Sequence, residues 1–466
     1  MLRASVCLRV DLCWIEDGHM RKQNSRLLIL GFVVLGYASA DAMPQQPASQ
    51  VDHLQHPAGA AADAPPLTLS AAIDEALANN PTLVALRREF DVVRQRPAQE
   101  RSLAAPTFET QIWQWPLDSI NPLNTNMYMF TVRQEVPGPG KRTLRAAVLE
   151  KDVERASNDI AVRARDVIDQ VKRAFTQLFV ARQAVAIHQA GVGLSRQIAD
   201  LTTARYVAGR GGQQDTLKAV LDISKLHADL IALDEQVLLS AAQLNILLNR
   251  DPAASIGELS VPSDLGPLPP LEDLQRRALA DHPELRGARL DEQRAEAALA
   301  VANHEYKPDF MVGGGYQLMP RTVGAWTASV GMTWPNAPWS RGALDAKKAE
   351  AVAEIEAARA REQTVANAIR LSVQQAYVRA ASAAARASLL QTTVIPQSQQ
   401  VLEVSRVAYQ SDRGDIVGLV EQQHGLLEMQ LDYYRALADV AEARADLEYA
   451  VGDDQPTALT PAAEAR

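Results

Sequence analysis

Two stretches of this chain carry the same apolar spacing. In the first, apolar or small residues and one histidine fall at Val167, Val171, Ala174, Leu178, Ala181, Val185, His188, Val192, Ser195, Ala199 and Thr202. In the second, the matching positions are Ile369, Val373, Ala376, Ala380, Ala383, Ala387, Leu390, Val394, Gln397, Val401 and Val404. Steps of four and three alternate, the pattern that winds helices into a coiled coil. The two lists match at a shift of about 202 residues. That period is too long for a solenoid repeat and suits a duplicated, domain-sized unit. A pair of very long helices, made twice, leaves few folds open.

Composition narrows them further. The formal net charge is -9 and no basic aromatic motif appears, so no nucleic-acid partner is expected. Aromatics are scarce at 5%, as close-packed, alanine-rich helices allow. Near the start, Met20 opens a basic stretch through Arg26, an apolar run covers Leu27 to Tyr37, and Ala38-Ser39-Ala40 follows. This reads as a secretory signal peptide that starts at Met20 and is cut after Ala40; the apolar run is too short to span a bilayer. Both cysteines, Cys7 and Cys13, precede Met20. The mature chain is therefore expected to rely on packing and assembly rather than disulfides. Residues 41–66 and 454–466 read as flexible ends. Residues 67–252 and 271–453 read as the two copies, and 253–270 as a proline-rich linker. No segment after the signal has an uninterrupted apolar run long enough for a membrane-spanning helix.

Each copy opens on one phrase, Asn80-Pro81-Thr82-Leu83 and His282-Pro283-Glu284-Leu285, with proline in the first turn of a helix. Those helices are expected to end near residues 103 and 304. The period then switches to two. Residues 107–115, 128–136, 310–318 and 326–334 alternate apolar with polar over a length that crosses a bilayer when tilted. Trp113, Trp115, Trp326, Trp334 and Trp339 lie in or beside these strands, as interfacial aromatics do. After each hairpin come a proline-containing turn, a helix of 65–70 residues or roughly 100 Å, a glycine-bearing tip and a returning helix half as long. The short opening helix is expected to lie end to end with the returning one, so that together they cover the long helix's apolar stripe. The fold class is mainly α with a membrane β-barrel segment. Four strands cannot close a barrel, and open edges are forbidden in lipid, so several copies must pool their strands. Three copies give twelve strands and a wet bore.

The chain resembles the TolC family of outer-membrane efflux proteins over residues 67–453. The resemblance rests on the duplicated helix starts, on Tyr206-Val207-Ala208-Gly209 at the tip, and on the order of helix, hairpin, long helix and returning helix. The stretch Pro137-Gly138-Pro139-Gly140-Lys141-Arg142 looks most like members that work with heavy-metal pumps. The resemblance implies a homotrimeric exit duct in outer-membrane lipid, with a large periplasmic portion. It also implies a periplasmic adaptor and an inner-membrane transporter of the resistance–nodulation–division type as partners, and no cofactor. The tip residues Val207, Ala208, Gly209, Arg210 and Gly414 would dock the adaptor. Asp412 takes the place of Gly209 in the second copy, so the two tips differ. Asp412 and Asp415 would ring the periplasmic aperture, or else form a solvated turn with Arg413 as local partner.

Two other readings remain open at this level: a soluble periplasmic coiled-coil adaptor, and the duct of a type I protein-secretion system. An adaptor would lack bilayer-length hairpins with tryptophan ends. An enzyme is not expected, because no nucleophile–base set is evident. His188 stands where Leu390 stands in the second copy, which argues for packing. His227, His282, His304 and His424 lack metal spacing, and His53 and His56 lie in the flexible N-terminus. Met127 and Met129 share a strand face, and Gly313-Gly314-Gly315 lies inside a strand.

Overall fold

A computed structural model describes residues 66–113, 121, 125–260, 266–320 and 322–453. The signal peptide, the two flexible ends, His53, His56 and Trp115 lie outside the described residues. The first copy comprises α1 (Leu69–Asn79), α2 (Pro81–Val93), α3 (Arg96–Arg101), β2 (Thr107–Trp113), β3 (Met127–Val136), α4 (Lys141–Val207) and α5 (Gln213–Leu247). The second comprises α6 (Leu271–Asp281), α7 (Pro283–His304), β5 (Phe310–Leu318), β6 (Ala325–Met332), α8 (Arg341–Leu389), a π turn (Leu390–Val394), α9 (Ile395–Gln410) and α10 (Ile416–Val451). The linker is not all coil. Leu259–Ser260 (β4) pairs in parallel with Leu67–Thr68 (β1), at the very start of the first copy.

The opening helices abut the returning ones through their caps. Asn80 Oδ1 accepts from the Thr82 N–H at 3.0 Å, and Asn80 Nδ2 donates to the Leu247 carbonyl at 3.2 Å. This capping satisfies an orphan donor at the start of α2 and a carbonyl at the end of α5 with one side chain. His282 does the same in the second copy. Its Nδ1 accepts from the Glu284 N–H at 3.2 Å, and its ring hydrogen-bonds the Tyr449 carbonyl. Both roles need the neutral imidazole with its proton on Nε2. Burial and the Arg165 charge lower the His282 pKa to about 4.

The helix expected to run unbroken to residue 103 is divided at Arg94 and Gln95 into α2 and α3. Pro97 has no N–H to offer the carbonyl four residues back, so the helix breaks there. No proline interrupts α7, which stays continuous over 22 residues.

The heptad stripe of α4 holds at Val167, Val171, Ala174, Leu178 and Ala181, all buried. It then drifts. Ala184, Ile187 and Ile198 are buried, while Val185, His188 and Ala199 are only half-buried. A straight helix at 3.6 residues per turn slips against a 3.5 repeat, so neighbouring positions share the seam. His188 turns back on its own helix and donates from Nδ1 to the Ala184 carbonyl at 2.9 Å.

In the second copy the match holds at Ile369, Val373, Ala376, Ala380, Ala387 and Leu390, then fails. Val401 and Val404 were expected inside but are 47% and 69% exposed, while Tyr409 is buried and Leu402 packs against its cluster. The cause is the π turn, in which the Ile395 N–H reaches the Leu390 carbonyl five residues back. Pro396 cannot donate to the carbonyl four residues before it, and the wider turn adds one residue to the ladder. Everything beyond it is therefore offset by one residue.

The hairpins form one antiparallel sheet in the order β2-β3-β5-β6. Pairing places Thr107, Glu109, Gln111, Thr131, Arg133, Gln317, Thr327 and Ser329 on one face. Phe108, Ile112, Phe130, Val132, Val312, Trp326 and Val330 lie on the other. Both outer strands, β2 and β6, keep an unpaired edge.

Candidate functional site

The polar face of the sheet is a built surface. Arg133 pairs with Glu109 at 3.2 Å, and Gln111 donates to Glu109 at 2.5 Å. Gly315 lies on this face because the backbone leaves no room for a side chain, and at Gly313 a side chain would have to displace the Ser329 hydroxyl. A Cβ on Gly315 would sit 2.4 Å from the Phe130 carbonyl oxygen, and one on Gly313 would sit 2.6 Å from Ser329 Oγ. Gly314, on the apolar face, would meet only the Thr327 carbonyl oxygen at 3.8 Å. Met127 and Met129 are on the polar face, where Gln317 donates to the Met129 sulfur at 3.6 Å.

The tryptophans divide. Trp326 stands on the apolar face, its ring tilted 58° against that of Tyr316 with centroids 5.1 Å apart. Trp334 continues the same parity beyond β6 and meets Trp339 edge-on at 6.0 Å. Aromatics therefore mark both ends of the apolar band. Trp113 does not join them. It pairs with Met127 on the polar face, and its indole N–H donates to Gln111 at 3.4 Å. Strand parity places it on the polar face with Glu109 and Gln111, opposite the face that carries Trp326.

At the opposite end, both tips close by the same turn. Gly209 and Asp412 each take a left-handed backbone, with φ of 72° and 61°. The next residue, Arg210 or Arg413, donates its N–H to the carbonyl five residues back, at Arg205 or Ala408. This is the helix-ending motif that favours glycine. Asp412 adopts it at a backbone cost, since only glycine is free there. The partner that offsets this is Arg205 of the other tip rather than Arg413. Arg205 forms an ion pair with Asp412, donates to the Tyr409 carbonyl, and lays its guanidinium 4.3 Å from the Tyr409 ring centre. Tyr409 in turn donates to Asp215 at 3.3 Å, and burial raises its pKa. Asp415 caps α10 by accepting from the Gly418 N–H at 3.1 Å. Asp412 and Asp415 thus have local structural duties.

The residues expected to dock a partner are unequal. Val207 is 80% exposed, and Gly209 has open space around a built Cβ. Gly414 instead crowds its own hairpin, with a Cβ only 3.2 Å from the Tyr409 nitrogen. Arg205 escaped the sequence reading. Its counterpart beyond the π turn is Ala408, so a comparison of the two tips that allowed one inserted residue would have singled it out.

About three turns from the tips, Asp222 is buried among three elements. It accepts from Ser195 of α4 at 2.8 Å and bonds His424 of α10 at 2.6 Å. Gln423 completes the junction by donating to Ser195 at 2.5 Å and to the Gly191 carbonyl at 3.2 Å. No group of three or more potential metal ligands occurs among the described residues.

A family model described as outer membrane efflux protein matches residues 72–250 and 274–453. The cobalt-zinc-cadmium resistance protein CzcC of Cupriavidus metallidurans is 23% identical over 389 residues, covering 83% of this chain and 90% of that protein. Among solved structures, the outer-membrane channel OprN aligns with a TM-score of 0.68 at 17% identity, over 83% of this chain and 91% of that one. The outer membrane protein VceC of Vibrio cholerae aligns at 0.67 and 16% identity, over 82% and 96%. These two likenesses establish a shared fold.

Proposed function

The chain belongs to the outer membrane efflux protein family, and from that premise we propose how its copies assemble, what they dock and what they carry. It is an outer-membrane exit duct of a tripartite efflux pump with a large periplasmic part, and the sheet is its membrane segment. The adaptor and secretion readings do not fit this family as well.

The assembly is a homotrimer closed head to tail. One observation carries this: two apolar rows lie exposed on opposite flanks of the chain. In the helical part, α5 packs on α4, α4 on α10, and α10 on α8 and α9, so α5 and α8–α9 are the outer members. On α5 the exposed row is Leu217, Leu221, Ile231, Leu238 and Ile246. On α8 and α9 it is Leu371, Val378, Leu389, Val401 and Val404. Both rows keep coiled-coil spacing, and burying each such side chain is worth about 1.5–3 kcal/mol. The α5 row explains why this helix, alone among the described residues, is long and apolar enough by composition to cross a bilayer. Asp234 and Glu235 interrupt it, and a neighbouring copy is its better cover. Three copies also join the free edges of β2 and β6 into twelve strands with the polar face inward. Light scattering of the detergent-solubilised chain should give three subunits; a monomeric mass with intact helicity would refute the arrangement.

Val207, Ala208, Gly209 and Arg210 form the surface for a periplasmic adaptor, which hands over cargo from an inner-membrane transporter of the resistance–nodulation–division type. Divalent metal ions are the cargo; the support is the likeness to CzcC. A strain lacking this chain should become sensitive to zinc, cobalt or cadmium. Unchanged metal tolerance with raised drug sensitivity would reassign the cargo.

A further inference from the structure

The apolar band of the sheet does not end cleanly at β6. Beyond it, Trp334 and Trp339 project 65% and 83% exposed, touching each other edge-on. Directly below, the end of α7 and the first turns of α8 bring several charges together. Tyr306 donates to Asp345 at 2.6 Å, and Arg341 lies 3.8 Å from the same carboxylate. Lys307 follows Tyr306, and Lys348 stands one turn beyond Asp345 on the same helix face. Lys307 and Lys348 are exposed and form no ion pair among the described residues. Arg341 and Tyr306 therefore share the Asp345 carboxylate, with exposed Lys307 beside Tyr306 and exposed Lys348 three residues beyond Asp345 along the chain.

The first copy has no such patch. Its equivalent turn, Val136 to Arg142, carries no aromatic side chain. Its Lys141 is buried against Asp309 at 2.9 Å, and Arg142 donates to the Arg101 carbonyl at 2.7 Å.

We infer that Trp334 and Trp339, with Lys307, Arg341 and Lys348, form a collar that selects anionic phospholipid headgroups in the leaflet nearest the helices. The indoles seat at the boundary between acyl chains and headgroups, where an apolar body with one N–H is best accommodated. The cations then lie at the level of the phosphates and complement a negative headgroup. The patch continues the lipid-facing band, so lipid is its nearest occupant. A trimer carries three such collars, one at each second-copy hairpin.

The test uses the intact chain in vesicles of phosphatidylcholine with a minority of phosphatidylglycerol. Bromine is placed in the acyl chains of one lipid or the other, and tryptophan quenching is compared. The signal of Trp334 and Trp339 is the difference between the native chain and Trp334→Phe/Trp339→Phe. Each exposed cation beside an anionic lipid favours it about fivefold, so with Asp345 opposing, quenching should favour phosphatidylglycerol at least about twofold. Lys307→Gln/Arg341→Gln/Lys348→Gln should bring the ratio to parity, and millimolar inorganic phosphate should leave it unchanged. Parity in the native chain, or a preference that survives the triple substitution, overturns the collar. Competition by inorganic phosphate would make it a free-anion site instead. Loss of the trimer in the Phe variant would assign the tryptophans to the subunit contact and overturn it too. Quenching by either lipid reports membrane insertion by itself, so failure of the outer-membrane placement is seen separately.

Discussion

Acidifying the protein from neutral pH to about 4 should remove about 3 kcal/mol of stability from each subunit through His282 alone. The native His282 pKa is lowered from 6.5 to about 4, chiefly because the ring is buried and then because the Arg165 charge lies beside it, while its bond to the Tyr449 carbonyl pulls the other way. The unfolded chain takes up a proton as pH falls through 6.5, whereas the native state resists until about 4. Unfolding therefore binds protons in that window, and stability declines as pH falls; above 6.5 the contribution is complete and flat. The window spans about 2.5 units, each worth about 1.4 kcal/mol, which gives the figure above. The control is written in the repeat. Asn80 makes the same two bonds with a side chain that does not titrate. His282→Asn should thus keep the cap and flatten this part of the pH dependence. Urea unfolding of the detergent-solubilised chain, followed by circular dichroism across the window, measures the difference between the two proteins. Parallel pH profiles for the native chain and His282→Asn would refute the reasoning.

Arg205→Ala should release the hold on Tyr409 and Asp412 and speed amide exchange over residues 409–415; unchanged exchange would mean the contacts carry no energy. Gly315→Ala should abolish the trimer recovered from membranes, since its Cβ would meet the Phe130 carbonyl oxygen at 2.4 Å, while Gly314→Ala, whose Cβ meets only an ordinary contact at 3.8 Å, should assemble normally. Leu221→Asp places a charge in the exposed α5 row and should shift the mass measured by light scattering from trimer to monomer, with helicity retained.

Much of this architecture is legible in the sequence because it is periodic. A stripe over about ten turns and a strand with strict parity are both repeated signals, and the second copy checks the first. What escapes is local and unrepeated. Pro97 and Pro396 act on one hydrogen bond each, yet one divides a helix and the other shifts a register by a residue, exposing Val401 and Val404. Trp113 was placed by residue type, whereas the pairing of β2 with β3 decides which face it takes. Arg205 acts across about 200 residues of chain on Tyr409 and Asp412, a relation no spacing rule encodes. The caps at Asn80 and His282 were readable as helix starts, but their bonds to Leu247 and Tyr449 needed the fold.

The π turn at Leu390–Val394 works as a vernier between two arms of unequal length. Below it the second arm holds one residue more than the first, yet both arms end in the same left-handed turn. An insertion in an unbroken α-helix would rotate everything beyond by about 100° and advance it by 1.5 Å. Widening one turn takes up the rotation where Pro396 has already cost a hydrogen bond. Arms built this way can gain or lose a residue at that height while their far ends stay in register. The same change nearer the tip would swing Tyr409 from beneath Arg205. Length variation in such ducts should therefore collect where a loose turn is already present.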